Sequence, residues 1–266
     1  MTTSETNDFS ALDFYTRFYD ALPRSPAYAE LCRRLYNANL GQHGFADMDQ
    51  LHALLDAVQL RLGERGLDIG CGDGRMAEYI SDRTGARITG LDLIPTGITR
   101  AVERTASKRD RLEFVAGDIG ALDRLFAPAS FEVLIAIDSL YFTDLADTIR
   151  QMKTVLGETG RMGIFYSHAA NPWQPAESFP RETLHPDSGP LSAALRANGL
   201  AYRWWDFTEA DYRNARRKKA IIEALRPAYE TEEDRVLCEG AMGEAEGVIA
   251  AHEAGAHARH LFLAWA

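Results

Sequence analysis

Leu67-Asp68-Ile69-Gly70-Cys71-Gly72-Asp73-Gly74 decides how the rest of this 266-residue chain is read. Gly66-Leu67-Asp68-Ile69 has the composition of a short strand, and it runs straight into three glycines at alternate positions. Beyond them Met76, Ala77 and Ile80 recur at helical spacing, which predicts a helix over 73–83. A glycine turn between strand and helix lets the backbone approach a ligand closely. It also aims the free N–H groups of the helix start at that ligand. Residues 67–74 alone therefore indicate a nucleotide-type ligand and nothing finer.

Downstream the period keeps switching. Residues 86–92 and 112–118 read as strands, each ending in a carboxylate, Asp92 and Asp118. Between them 95–107 is helical, with Pro95 suited to the first turn. Phe131 to Ile137 (FEVLIAI) is apolar enough for a buried central strand. A helix over 144–156, a strand over 160–167, a helix over 190–198 and a strand over 201–207 follow. Two helices at 208–226 and 230–252 come next, and 258–265 forms a last strand. This alternation predicts a parallel sheet covered by helices on both faces. The segment 168–190 carries prolines at 172, 175, 180, 186 and 190 and reads as a long loop, of the kind that carries function.

Upstream, 1–8 reads as a frayed tail, and 9–34 as short helices broken at Pro23 and Pro26. The loop 41–47 ends in Asp47, a candidate N-cap with Gln50 three residues on, in the manner of a capping box. Leu51, Leu54, Leu55, Val58 and Leu62 then repeat at helical spacing.

The length suits one large α/β domain, and 46% apolar with 26% charged residues is the mixture of a globular protein. A formal charge of −10 opposes attraction to phosphate backbones or anionic lipid, so neither nucleic acid nor membrane is expected. The run Arg216-Arg217-Lys218-Lys219 reads as the solvated face of a helix. Three scattered cysteines form no metal or redox pattern and imply a reducing, cytoplasmic setting. The polar start is unlike a targeting peptide, and no apolar run approaches the ~18 residues that span a bilayer.

Dinucleotide folds use nearly the same turn, with an acid about 20 residues later for the ribose, and Asp92 stands at about that distance. Three features favour S-adenosylmethionine (SAM) instead. The spacing is GxGxG with Asp68 just before it, Asp118 ends a third strand, and a fourth ends in Ile137-Asp138. At this point Leu67–Arg75 (LDIGCGDGR), Gly90–Leu93 (GLDL), Val115–Ile119 (VAGDI) and Phe131–Leu140 (FEVLIAIDSL) resemble, in order and spacing, the motifs of class I SAM-dependent methyltransferases. The resemblance covers roughly 60–207 and the last strand.

It implies an α/β, Rossmann-like seven-stranded sheet, mostly parallel with an antiparallel last strand and helices on both faces. A helical cap, 208–257, stands between the last two strands, 61–207 and 258–266 form the core, and 1–60 supply N-terminal helices and a lid, all within one domain. The cofactor is then S-adenosyl-L-methionine, leaving as S-adenosyl-L-homocysteine (SAH). By motif, the backbone of Gly70, Cys71 and Gly72 would face its methionine part, and Asp68 its amino group. Asp92 would take both ribose hydroxyls, since a carboxylate accepts two hydrogen bonds at once. Leu93 would pack on the adenine, Asp118 would accept from its amine, and the Ile119 N–H would reach the ring. Ile137 stands where the strand ends converge. The Cys71 thiol reads as a packing group rather than a nucleophile.

Methyl transfer from a sulfonium needs mainly proximity, and a base only if the nucleophile arrives protonated. The layout resembles glycine/sarcosine and phosphobase N-methyltransferases, whose turn after the fourth strand faces the methyl group. Here that turn holds Asp138, Tyr141 and Phe142, where the phosphobase branch carries a histidine. Asp138 is a candidate holder of a cationic amine, or else a turn carboxylate. His168, with Tyr166, Asn171 and Trp173 nearby, is a candidate base. His43, Tyr15 and Tyr19 are candidates for a lid over SAM. Trp204, Trp205, Phe207, Tyr212 and Arg213 stand at or just before the insertion, which as a helical cap would enclose the small acceptor, or else form the cap's own core. The paired tryptophans and the N-terminal aromatics equally suit a homodimer interface. His252, Glu253, His257 and His260 match no zinc spacing. The expected partner is a small-molecule methyl acceptor, methylated on N, O or C. A nicotinamide-dependent oxidoreductase and a non-catalytic SAM-binding module are the alternatives.

Overall fold

The computed structural model describes residues 11–170, 178–233 and 235–266. The tail at 1–8, Phe9, Asn171, Trp173 and the prolines at 172 and 175 lie outside that description.

Three helices precede the first strand: α1 (Ala11–Ala21), α2 (Pro26–Tyr36) and α3 (Met48–Val58). Pro26 opens α2 at its first turn, and Ser25 caps it by accepting from the Tyr28 N–H. Asp47 caps α3, accepting from the Gln50 N–H at 2.9 Å. The expected capping box is only half present, because the Gln50 side chain donates to the Phe45 carbonyl instead. The chain leaves α3 at Gln59, which is left-handed at φ 48°, so Leu62 falls outside the helix and is 83% exposed.

Strand and helix then alternate: β1 (Arg65–Ile69), α4 (Arg75–Thr84), β2 (Arg87–Asp92), α5 (Pro95–Arg104), β3 (Leu112–Ala116), a short α6 (Leu122–Leu125) and β4 (Phe131–Ile137). After α7 (Leu145–Val155) come β5 (Leu156–Ala169), α8 (Pro190–Ala197), β6 (Ala201–Asp206), the long pair α9 (Thr208–Tyr229) and α10 (Val236–Glu253), and β7 (His257–Trp265). The sheet order is β3-β2-β1-β4-β5-β7-β6, with β7 antiparallel to both neighbours. Ile69 is level with Leu91 of β2 and with Ala136 of β4, so three strands end together where the order reverses. Open α/β sheets bind ligands at such a switch point.

Burial on the two sheet faces follows the two-residue period of a strand. Leu134 and Ala136 turn toward the core under α7 and α8, with Ile149, Met152 and Leu195. Val133 and Ile135 turn the other way, onto Leu51, Leu54 and Val58 of α3 and Ile80 of α4. A third core has no strand in it. Phe18, Tyr28, Leu31 and Leu35 of α1 and α2 pack with Ile222, Leu225, Leu237 and Ala241 of α9 and α10. Among the described residues no helix is long and apolar enough to cross a membrane.

The glycine turn is the tightest joint in this frame. Gly74 stands at φ +73°, and a Cβ there would lie 2.4 Å from Phe114 Cε1 and 2.7 Å from Ala101 Cβ. Gly74→Ala is expected to destabilise the fold by about 2 kcal/mol, the usual scale of such strain. The urea midpoint measures it, and an unchanged midpoint would show that the turn relaxes freely.

Candidate active site at the strand ends

Gly70, Gly72 and Gly74 are all left-handed, at φ +79°, +60° and +73°. The Gly70 and Cys71 N–H groups donate to the Leu91 carbonyl at 2.8 and 3.0 Å, tying the turn to β2. Ser139, just after β4, donates from Oγ to the Ile69 carbonyl at 2.6 Å, and a Cβ on Gly70 would stand 2.4 Å from its Cβ. From α1 the Tyr19 hydroxyl rests on the turn, 2.6 Å from where a Gly72 Cβ would be. The turn is thus closed in by β2, β4 and the N-terminal helix.

A cavity of about 310 Å³ opens beside it. The residues expected around the cofactor all lie on its wall: Asp68, Gly70, Cys71, Gly72, Asp92, Leu93, Asp118, Ile119 and Ile137 from the strand ends, and His43 from the expected lid. Asp92 Oδ2 accepts from the Gly72 N–H at 2.8 Å and Oδ1 from the Ile94 N–H at 2.9 Å. Each oxygen keeps a further lone pair, which is what a pair of adjacent hydroxyls would need. Asp118 Oδ1 caps the turn at the Gly120 N–H, at 2.8 Å. That carboxylate therefore serves the turn and stands on the cavity wall at once.

Asp68 is buried at 3% exposure, and its Oδ2 has no hydrogen-bond partner. Burial first, and the Asp92 charge second, push its pKa up to about 7. Burial also raises the Cys71 thiol well above its usual range, with Asp68 and Asp92 adding to it. A thiol so placed packs rather than attacks. The Gln42 Nε2 and Thr143 Oγ1 atoms on the same wall are likewise buried without partners. This donor set fits SAM: an unpartnered carboxylate for an ammonium, Asp92 for a ribose, and Leu93, Ile94 and Ile119 for a flat ring.

The acceptor candidates fare differently. Asp138 lines the cavity at φ +54°, but both its oxygens are engaged by Arg259 of β7. Nη1 donates to Oδ1 at 2.5 Å and Nη2 to Oδ2 at 2.8 Å, while the Tyr141 hydroxyl donates to Oδ1 at 3.0 Å. Asp138, expected as a holder of a cationic amine or as a turn carboxylate, is here the counter-ion of a buried guanidinium, whose charge left unpaired at 1% exposure would be far costlier. Tyr141 is not on the wall; its hydroxyl also accepts from the Ser167 N–H at 2.9 Å. His168 is not on the wall either. Its Nε2 meets Thr183 Oγ1 at 2.8 Å, and its ring lies 5.2 Å from that of Phe179. β5 runs on to Ala169, so His168 stays in the ladder opposite Ala258 and does not enter a loop.

Two further residues were not singled out by the sequence as site residues. Arg259 Nη1 also donates to Ser167 Oγ at 2.9 Å and Nε to Gln50 Oε1 at 3.0 Å, with Asp211 Oδ1 3.4 Å away. Lys218, expected on a solvated face, is fully buried. It pairs with Glu244, donates to the Gly44 carbonyl at 3.3 Å and lies 4.7 Å over the Phe45 ring. Asn214 donates to Phe45 O and Asp47 Oδ2, Tyr28 to Gln42 O, and Tyr36 to Gly44 O. Segment 40–46 is held in this way against the cavity. Among the described residues nothing from 208–257 lines the cavity, so the expected cap does not cover it and the insertion bears on it through that segment and α1.

Two outcomes follow from these charges. Arg259→Met leaves Asp138 and Asp211 buried without their cation, and a loss of about 3–5 kcal/mol in chemical denaturation is expected; a loss under about 1 kcal/mol would mean the carboxylates find other partners. An ammonium beside Asp68 would favour its charged form, so SAH binding should expel a proton from the protonated carboxyl. Affinity then rises with pH up to about 8 and proton release fades above it. Calorimetry in buffers of different ionisation enthalpy near pH 6 measures this, and buffer-independent heats would remove Asp68 from the ammonium.

Comparisons with known proteins agree with this geometry. Residues 61–189 match the family described as methyltransferase domain. The 27-O-demethylrifamycin SV methyltransferase of Amycolatopsis mediterranei is 33% identical over 152 residues, covering 52% of this chain and 54% of that protein. Demethylmenaquinone methyltransferase of Beutenbergia cavernae is 31% identical over 171 residues, covering 63% of this chain and 66% of that one. The chain spans about half the length of the first curated relatives it matches. Among solved structures, phosphoethanolamine N-methyltransferase 2 of Haemonchus contortus superposes with a TM-score of 0.75 at 19% identity, over 96% of this chain and 60% of that one. Residues 61–189 thus match a methyltransferase domain in sequence, and nearly the whole chain shares its fold with that phosphoethanolamine N-methyltransferase.

Proposed function

We propose that this chain is an enzyme that transfers a methyl group from SAM to a small-molecule acceptor by in-line displacement. The observation that carries the reading is Asp68 Oδ2, a buried carboxylate oxygen without a partner, in a cavity walled by the residues of the four motifs and by the expected lid. SAM, when bound, supplies a methyl group already activated on its sulfonium. The work left to the chain is binding, orientation and exclusion of water. Asp68 holds the ammonium, Asp92 the ribose, and Leu93, Asp118 and Ile119 the base. Gly70, Cys71 and Gly72 bring backbone close to the methionine part. Tyr19 and α1 cover the turn, and segment 40–46 closes the acceptor end.

The chain works as one domain in this reading. The core at 61–207 and 258–266 binds the cofactor, 1–60 supply the lid, and 208–257 brace it. Three free cysteines and the net charge of −10 support a cytoplasmic enzyme whose partner is neither nucleic acid nor membrane. The relatives named above act, by their names, on a rifamycin and a menaquinone precursor, which supports a small acceptor.

Calorimetry with SAH and with NAD(P) tests the cofactor. SAH should bind, NAD(P) should not, and Asp92→Asn should weaken SAH by about tenfold or more, the scale of a hydrogen bond to a charged group. Methyl-labelled SAM incubated with a metabolite pool then tests transfer by mass spectrometry. Binding of NAD(P) alone would overturn the reading, and SAH binding without any label transfer would reduce the chain to a binding module.

A further inference from the structure

Part of the cavity wall is aromatic. The Tyr15 ring lies 5.7 Å from that of His43 and 6.1 Å from that of Phe142, and all three residues line the wall. Phe14 and Phe18 pack edge-on against His43 at 5.4 and 5.1 Å. The nearby charges are already matched. Asp138, beside Gly44, is bound through both oxygens to Arg259, and Lys218 is bound to Glu244. A cationic amine entering here meets no unpaired carboxylate among the described residues of this part, and a phosphate meets no unpaired cation. An uncharged acceptor loses least on leaving water.

Among the unpartnered polar groups of the wall, His43 is the one whose ring can take up a proton near neutral pH while packed among these aromatic rings. Its Nε2 is buried without a hydrogen-bond partner and stands 3.9 Å from Glu244 Oε2. The groups facing the ring are Tyr15 from α1, Lys218 from α9, Glu244 from α10 and Asp138 after β4. Burial lowers the pKa of His43, with Glu244 acting against that shift, so the imidazole is neutral near pH 7. The unpartnered Nε2 of the neutral ring is free to receive a proton, with Glu244 3.9 Å away to steady the resulting charge.

We propose that His43 is the general base of this site and that the acceptor is an uncharged hydroxyl compound. The inference rests on the methyltransferase reading above. As the acceptor O–H bond breaks, its proton passes to His43 and the oxygen pair forms the new O–CH3 bond. The S–CH3 bond breaks with its electrons staying on sulfur, which leaves a neutral thioether. The imidazolium, steadied by Glu244, returns its proton to water.

Wild-type protein is incubated with methyl-labelled SAM and three separate acceptor sets: uncharged phenols and alcohols, primary amines, and phosphobases. Label on oxygen, from the first set, is expected. His43→Asn should cut turnover about 100-fold or more, the usual contribution of a general base. Its SAH affinity by calorimetry should stay within about twofold of wild type, the criterion that parts a base from a cofactor ligand. The wild-type rate should rise with pH to a plateau, on a limb below the ordinary histidine range, and the variant should lack that limb. Label on nitrogen or carbon, preference for charged acceptors, or full turnover by His43→Asn overturns the proposal. So does a loss of SAH affinity in step with turnover, or SAH binding by wild type with no label from the first set. Failure of wild type to bind SAH at all would instead strike the methyltransferase reading itself.

Discussion

A guanidinium buried to 1% exposure in the penultimate strand of the sheet sets the terms for everything around it. Arg259 carries five N–H donors and cannot shed its charge, so its surroundings must supply acceptors or the fold fails. Asp138 gives two oxygens from the end of β4, Ser167 one from β5, and Gln50 one from α3, with Asp211 of α9 close by. Asp211 in turn receives His257 at 2.8 Å. One side chain thereby fixes the turn at the cavity floor, an N-terminal helix and the base of the insertion relative to each other. The left-handed backbone of Asp138 is held by this clamp, at a conformation a non-glycine residue adopts at a cost.

The cofactor half was legible because its signals are local. Glycine is favoured where φ is positive, and a strand ending in a carboxylate shows both features within a few residues. Thus β4 spans Phe131–Ile137 as its apolar run indicated, and the residues of the four motifs reach one cavity. The Arg259 clamp was not legible in that way, because its partner Asp138 is 121 residues away. A trace of it existed all the same: an arginine inside the apolar last strand has to be paired. Lys218 shows the same limit. Composition made 216–219 a solvated run, yet Asp211, Asn214, Ala215, Lys218, Ile222 and Leu225 recur at helical spacing and form the buried side of α9. Periodicity, weighed above charge, pointed to the single lysine that turns inward. His168 depended on where β5 ends, and strand ends are set by pairing across the sheet, which a single sequence does not display.

The two long helices of the insertion do their work at one remove. They pack on α1 and α2 and hold Gly44, Phe45 and Asp47 by side-chain bonds, while the cavity wall is built by the segment they hold. Precision at the acceptor end therefore depends on contacts among helices distant in sequence.

That division of labour has a consequence for how such a chain changes over time. The part recognisable across the family begins at residue 61, whereas Tyr15 and His43 come before it and their brace comes after 207. Substitutions that reshape the acceptor end can accumulate in the two flanking stretches while the strand-borne half keeps its geometry. Asp138 and Phe142, on the wall beside Gly44 and Tyr15, belong to both territories. A lineage can thus exchange one acceptor for another by redrafting its flanks, and the clamp at Asp138 marks the seam along which such redrafting must stop.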